Sequence, residues 1–248
     1  MIIIKSPDEI ERMREAGKIV GKVFEKVKNY LRPGISTVEV DEIVYSIIKK
    51  LGGYPAFKGY RGFPASTCIS INEEVVHGIP SLRRIKSGDI VGVDVGVEYE
   101  GYFADAAATF PVGEVSEQAT ALISVTKAAL KAGIEKCVVA NKLYDISYAI
   151  QKVAEDGGYS VVRDFVGHGI GLKLHEDPQI PNYGSPNRGQ VLKAGMVFAL
   201  EPMVNIGDYR IKVLDDKWTV VTRDGSLSAH FEHTVAITLE GPDILTFW

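Results

Sequence analysis

Ile85-Lys86-Ser87-Gly88-Asp89-Ile90-Val91-Gly92-Val93-Asp94 returns 107 residues later as Leu192-Lys193-Ala194-Gly195-Met196-Val197-Phe198-Ala199-Leu200-Glu201. Each copy runs from a Lys-x-Gly turn into an apolar strand that ends on a carboxylate. The surroundings repeat as well. In each half two helical patterns end in Gly-Gly-Tyr, at Tyr54 and Tyr159, and a His-Gly-Ile follows, at His77 and His168. The offsets differ between pieces, so loops of different length separate them. One such echo could arise by chance among common strand patterns. Four features in one order point instead to a duplicated α+β half, over about residues 10–110 and 116–204. Halves paired about a pseudo-twofold axis put an active site where their sheets meet. Asp94 then faces Glu201, and His77 faces His168.

The helical patterns set the frame around these strands. Ile10, Met13, Val20, Phe24, Val27 and Leu31 recur on one face and predict a helix from Pro7 to Leu31. Ser6 and Glu9 form a capping-box signature with Pro7 in the first turn. A second helix spans Ser36 to Leu51, capped by Ser36 and Glu39 and stopped by Gly52-Gly53. Ser116–Lys136 and Lys142–Asp156 are the third and fourth helices, the last stopped by Gly157-Gly158. Strands are expected at Thr67–Asn72, Ile90–Tyr99, Tyr102–Phe110, Tyr159–Val166, Val197–Val204, Arg210–Val213, Trp218–Thr222 and Ala229–Leu239. The stretch Pro178–Gly189 reads as a polar loop. No linker or low-complexity segment divides residues 1–248, so a single domain is expected.

Composition narrows the function classes. The 248 residues are 46% hydrophobic and 24% charged, with a net charge of -4 and no long run of one sign. A general nucleic-acid binder usually shows a basic face, and none is visible here. Cys68 and Cys137 are far apart and in no metal-type spacing, which argues for a reducing compartment. The opening Met1-Ile2-Ile3-Ile4-Lys5 is too short for a signal peptide, and no apolar run is long enough to span a bilayer. A cytoplasmic, unanchored protein is expected.

The chemistry sits on the hairpin. With Glu100-Gly101 as a two-residue turn, Asp105 lies opposite Gly96 and Asp94 opposite Ala107. Alternation puts Asp94 and Asp105 on one face as diagonal neighbours roughly 7–8 Å apart. Two carboxylates on an apolar hairpin without a Lys or Arg need a counter-charge, and one or two divalent cations would supply it. The competing reading leaves Asp94 as a solvated strand residue. Glu201 stands alone in another apolar strand, where an Arg partner would equally serve. Glu232 lies in His230-Phe231-Glu232-His233-Thr234, and His168 in Gly167-His168-Gly169-Ile170-Gly171, where the glycines leave room around the imidazole. Four of the five His, at 77, 168, 175 and 233, lie in or beside these segments. Any one of them alone is more often structural than catalytic. Their company with four carboxylates changes that balance.

Taken together, six segments resemble the type I methionine aminopeptidases of the pita-bread fold. They are Val75-Val76-His77-Gly78-Ile79-Pro80, Val93-Asp94-Val95-Gly96-Val97, Phe103-Ala104-Asp105, Gly167-His168-Gly169-Ile170-Gly171, Glu201-Pro202-Met203 and His230-Phe231-Glu232-His233-Thr234. The resemblance covers essentially the whole chain. It implies an α+β fold of two pseudo-twofold related halves, with a central antiparallel sheet covered by helices. It also implies two divalent ions (Mn, Fe, Co or Zn) bound by Asp94, Asp105, His168, Glu201 and Glu232, with Asp105 and Glu232 bridging. Glu201 is then the proton shuttle, and His77 and His175 donate hydrogen bonds to substrate. Tyr60, Phe63, Cys68 and Trp218 line the methionine pocket, against the plainer reading of core packing. The implied substrate is the N-terminal methionine of nascent peptides, taken by a monomer, with ribosome contact left open and neither nucleic acid nor membrane required. Two departures stand out: Ala106-Ala107 where small hydroxyl residues are commoner, and Leu174 where an aromatic is commoner. No extension precedes the first helix, so the partner-binding segments of some relatives are not expected. The rival readings are a proline-directed aminopeptidase or dipeptidase, a non-catalytic peptide-binding relative, and a two-metal phosphoesterase.

Overall fold

The hairpin forms in the register that its turn predicts. In the computed structural model, which describes residues 2–248, Glu100 and Gly101 take φ of 49° and 84°. Positive φ at both positions matches the twist of a tight two-residue turn to its strands. Asp94 pairs with Ala107 and Gly96 with Asp105.

The four helices are α1 (Pro7–Val27), α2 (Thr37–Lys50), α3 (Glu117–Ile134) and α4 (Leu143–Asp156). Both predicted capping boxes are present, Ser6 with Glu9 and Ser36 with Glu39. α1 stops four residues short of Leu31 and gives way to a turn over residues 28–30 ahead of Pro33. The first half carries β1 (Tyr54–Pro55), β2 (Cys68–Ile71), β3 (Glu74–Val76), β4 (Ile90–Tyr99) and β5 (Tyr102–Pro111). After α4 come β6 (Ser160–Val161), β7 (Gly167–Gly169), β8 (Glu176–Ile180), β9 (Val197–Leu200) and β10 (Met203–Asn205). The last five are β11 (Ile211–Val213), β12 (Val220–Thr222), β13 (Ser228–His230), β14 (His233–Ile237) and β15 (Pro242–Ile244).

All strand pairs are antiparallel. β4 lies between β5 on one edge and β1 and β2 on the other. A five-stranded sheet runs β15-β14-β9-β7-β8, and two three-stranded sheets run β13-β10-β6 and β11-β12-β3. α1 lays Val20, Val23, Phe24 and Val27, all fully buried, against the β4–β5 hairpin, while α3 and α4 pack on each other.

Two predicted strands are each broken in two. Val197–Val204 splits into β9 and β10 at Glu201-Pro202, where proline has no N–H to continue the ladder. Ala229–Leu239 splits into β13 and β14 at Phe231-Glu232. The breaks coincide: β9 pairs with β14 and β10 with β13, so one two-stranded ribbon bends from one sheet into the next. Glu201 and Glu232 sit at the bend. Glu232 then forms a bridge to Ala107 of β5 (N–H to carbonyl, 2.8 Å), which ties the bend to the hairpin. Most of Tyr159–Val166 is irregular, and the predicted loop from Pro178 contains part of β8. β8 is an edge strand, the place in a sheet where proline is tolerated.

The two echoed segments make matching contacts. Isolated bridges join Ser36 to Arg84 and Lys142 to Val191, each from the start of a half's second helix to the residue before the echo. The turn glycines Gly88 and Gly195 take φ of 94° and 90°.

Candidate metal centre

The bend, the hairpin and β7 converge on a cavity of about 120 Å³. Its wall includes Asp94, Asp105, His168, Glu201, Glu232, His77, His175, Tyr60, Phe63, Cys68 and Trp218, whereas His233 turns away to Thr246 and Trp248. Phe57, Arg61 and Leu174 complete the wall.

The donors come from elements that cannot easily move. Asp105 (4% exposed) and Glu232 (2%) are buried. The Thr234 hydroxyl accepts from the Asp105 N–H at 2.9 Å and donates to the Asp105 carbonyl at 2.8 Å, bolting β14 to β5. The Thr67 hydroxyl donates to the Asp94 carbonyl, and the Asp41 carboxylate on α2 accepts from the N–H groups of Ser66 and Thr67. One donor atom each from Asp105, His168 and Glu232 lies within 4.8 Å of the others. Asp94 and Glu201 fall outside that tightest triplet but border it. Glu201 Oε1 is 3.6 Å from His168 Nε2, and Asp94 is near enough to Asp105 and Glu201 for their charges to repel its own. His168 Nδ1 donates to the Gly169 carbonyl at 2.9 Å, which leaves the Nε2 lone pair facing the carboxylates.

Burial dominates the electrostatics. Desolvation lifts the carboxyls of Asp94, Glu201 and Glu232 well above their ordinary range, and mutual repulsion adds to it. Asp105 is lifted to about 7, again by desolvation, with hydrogen bonds from Asp94 and the Ala106 N–H opposing. Desolvation pushes His168 and His77 down to about 4, so both imidazoles are neutral at physiological pH. His175 is lowered by desolvation and then by His168, Arg61 and His77. Its Nδ1 is 2.9 Å from the Tyr60 hydroxyl, and its ring centroid lies 4.1 Å from that of His168. His77 has φ of 60°, a strained conformation for a residue with a Cβ, and meets Phe165 and Trp218 edge-on.

The donor set fits a divalent cation on its own terms. Asp94 Oδ1, Asp105 Oδ1 and Glu232 Oε1 are buried without any hydrogen-bond partner. Buried carboxylate oxygens are costly unless paired or coordinating, and no Lys or Arg reaches them. Four carboxylates and one imidazole suit a borderline-hard ion and exclude the all-thiolate zinc type.

Four contributors had no role in the sequence reading. Thr234 lies two residues past Glu232, so strand alternation could have flagged it. His230 is buried with a free Nε2 about 4.0 Å from Glu232 Oε2, and its i, i+2 spacing carried the same hint. Arg61 and Phe57 carry no signal of their own.

An oxygen-rich nest with one imidazole, set in the wall of a cavity, is the donor set of a metal-dependent hydrolase. Residues 11–239 match the model of metallopeptidase family M24, and the chain belongs to that family. It is 57% identical over 246 residues to a methionine aminopeptidase of Clostridium perfringens, with 99% of each chain covered. The crystal structure of a methionine aminopeptidase from Thermotoga maritima superposes with a TM-score of 0.98 at 50% identity, covering all of both chains. A prolidase from Pyrococcus furiosus matches with a TM-score of 0.82 at 27% identity, over 99% of this chain and 66% of that one. The architecture is thus the α+β pita-bread fold of this family. Among the described residues no helix is long and apolar enough to cross a membrane.

Proposed function

We propose that the protein removes the N-terminal methionine of nascent proteins and peptides, using two divalent cations held by Asp94, Asp105, His168, Glu201 and Glu232. One observation carries the reading: the five donors, three of them with orphaned oxygens, share a cavity wall with two neutral histidines and a soft apolar pocket. Asp105 and Glu232, tied together through Thr234 and the Ala107 bridge, would hold the ions from fixed positions. Bound there, Mn, Fe, Co or Zn supplies Lewis acidity toward a carbonyl oxygen and makes water a competent nucleophile near neutral pH.

The chain's own groups do the rest. Glu201, on the cavity wall beside His168, accepts a proton from the nucleophile and returns it to the leaving amine. His77 and His175 are neutral imidazoles and donate N–H bonds to the substrate carbonyl and the developing oxyanion. The Tyr60 hydroxyl on His175 Nδ1 holds Nε2–H toward the pocket. Phe63 and Trp218, edge to face with centroids 5.1 Å apart, and buried Cys68 offer a polarisable wall to a thioether side chain. A free α-amine would be held at the occupied metal site, which restricts cleavage to the first residue. A cytoplasmic monomer acting as nascent chains emerge completes the reading, and the matched contacts of the two halves support an ancestral duplication.

Metal-stripped protein given Met-Ala-Ser with Mn²⁺, Co²⁺ or Fe²⁺ is expected to release methionine, and to spare N-acetyl-methionyl and Ala-Pro peptides. No release with any ion sinks the proposal, and cleavage of Ala-Pro transfers it to the proline-directed class.

A further inference from the structure

The third glycine of Gly167-His168-Gly169-Ile170-Gly171 takes no part in the chemistry above, but its surroundings explain it. A Cβ on Gly171 would strike Cε of Lys5 and sit 3.0 Å from a Glu176 carboxylate oxygen. The glycine makes room for a buried ion pair. Lys5 Nζ is 2.6 Å from Glu176 Oε2, and each side chain is 3% exposed. The other oxygen, Oε1, accepts from the Lys173 N–H at 3.1 Å. Gly171 N–H donates to the Lys173 carbonyl (3.1 Å), and its own carbonyl accepts from the Phe103 N–H of β5 (2.9 Å). Lys5 is itself anchored, its N–H donating to the Gly195 carbonyl at 2.7 Å. The turn closed by these bonds carries His175, the residue just before Glu176.

We propose that Lys5 is a positioning residue for His175: its buried ammonium neutralises Glu176, and the neutralised pair locks the 171–176 turn that aims the imidazole into the pocket. The proposal rests on the reading of His175 as a substrate donor. A lysine suits the place, since a compact ammonium on a flexible stem passes Gly171 where a guanidinium fork would not. A Glu176 carboxylate stranded without its partner must draw in water or a proton, which loosens its grip on the Lys173 N–H.

The test is histidine ring-nitrogen NMR on the metal-free full-length protein, paired with kinetics of the metal-loaded enzyme. Wild type is expected to show one His175 tautomer, and Lys5→Met a shifted, exchange-averaged one. In turnover of a methionyl peptide, Lys5→Met lowers kcat about 10–100-fold, as loss of an orienting partner does, with KM and bound metal little changed. Lys5→Met/Glu176→Gln strands no charge and keeps an oxygen for Lys173, so it restores the single tautomer and most of kcat. Unchanged His175 signals in Lys5→Met overturn the proposal. So does a double variant without the wild-type tautomer, and that arm stands even if Lys5→Met fails to fold. The NMR arm uses no substrate, so a wild-type enzyme that releases no methionine counts against the activity and leaves the positioning result intact.

Discussion

A buried carboxylate is an asset only while something neutralises it. Asp94 shows the cost: its Oδ1 has no partner, and desolvation with the repulsion of Asp105 and Glu201 raises its pKa in the fold. The stability it lends is therefore full below its unfolded pKa of about 3.9 and is lost as pH rises through the raised value. Metal-free Asp94→Asn is expected to melt above metal-free wild type at pH 8, by about 2–4 °C per kcal/mol relieved, with the gap closing toward pH 4. Equal melting at pH 8, measured by calorimetry after chelation, means that the carboxylates do not repel. His77 makes the complementary case. It touches no carboxylate in the donor set, and its positive φ stores strain at the pocket wall. His77→Ala should bind metal normally and lose about 10²–10³ in kcat, the usual worth of an oxyanion donor. Metal loss in that variant, read by elemental analysis, places His77 among the ligands instead.

At the scale of elements, the site exists because two segments bend together. The hairpin was legible in the sequence, since its turn fixed a period-2 register and put Asp94 and Asp105 on one face. The bent ribbon was not. Alternation describes an unbroken strand, and it cannot say that β9/β10 and β13/β14 break at the same level. Pro202 was the visible hint for one break; Phe231-Glu232 offered none. Short pairings such as β1 and β3 were invisible for another reason: two or three residues carry no period, and partners far along the chain hold them. The donors were legible and the bolts between them were not, because Thr234 looks like any strand threonine. Thr234→Val tests that bolt. It leaves the buried Asp105 N–H without an acceptor, a loss of about 1–3 kcal/mol. Metal affinity should fall about 10–100-fold in a competition titration, as it does when a group orienting a ligand is lost. Unchanged affinity means that the β5–β14 contact through Glu232 and Ala107 suffices alone.

For the whole molecule, the nest is a junction. Asp94 and Asp105 come from the first half, His168 and Glu201 from the second, and Glu232 from the ribbon that returns to meet both. A cation held there would cross-link segments more than a hundred residues apart, and it would bind the folded chain alone because the unfolded chain has no such nest. At a free concentration a hundred times its dissociation constant, it should add about 2.7 kcal/mol to stability. For a chain of this size that is a rise of roughly 5–11 °C in Tm. The sign with pH follows from the same carboxyls. Near neutral pH the empty nest retains protons, since Asp105 titrates at about 7 and Asp94, Glu201 and Glu232 are raised as well. A cation must displace them, so affinity should weaken about tenfold per pH unit for each proton expelled. The metal-induced gain in Tm should therefore shrink steadily from pH 8 to pH 5.5. Titration calorimetry in two buffers of different ionisation enthalpy should register proton release at pH 7. A gain that does not change with pH, together with no proton release, means that the carboxyls are already ionised in the empty protein. The orphaned oxygens of Asp94, Asp105 and Glu232 would then owe their neutralisation to something other than a cation.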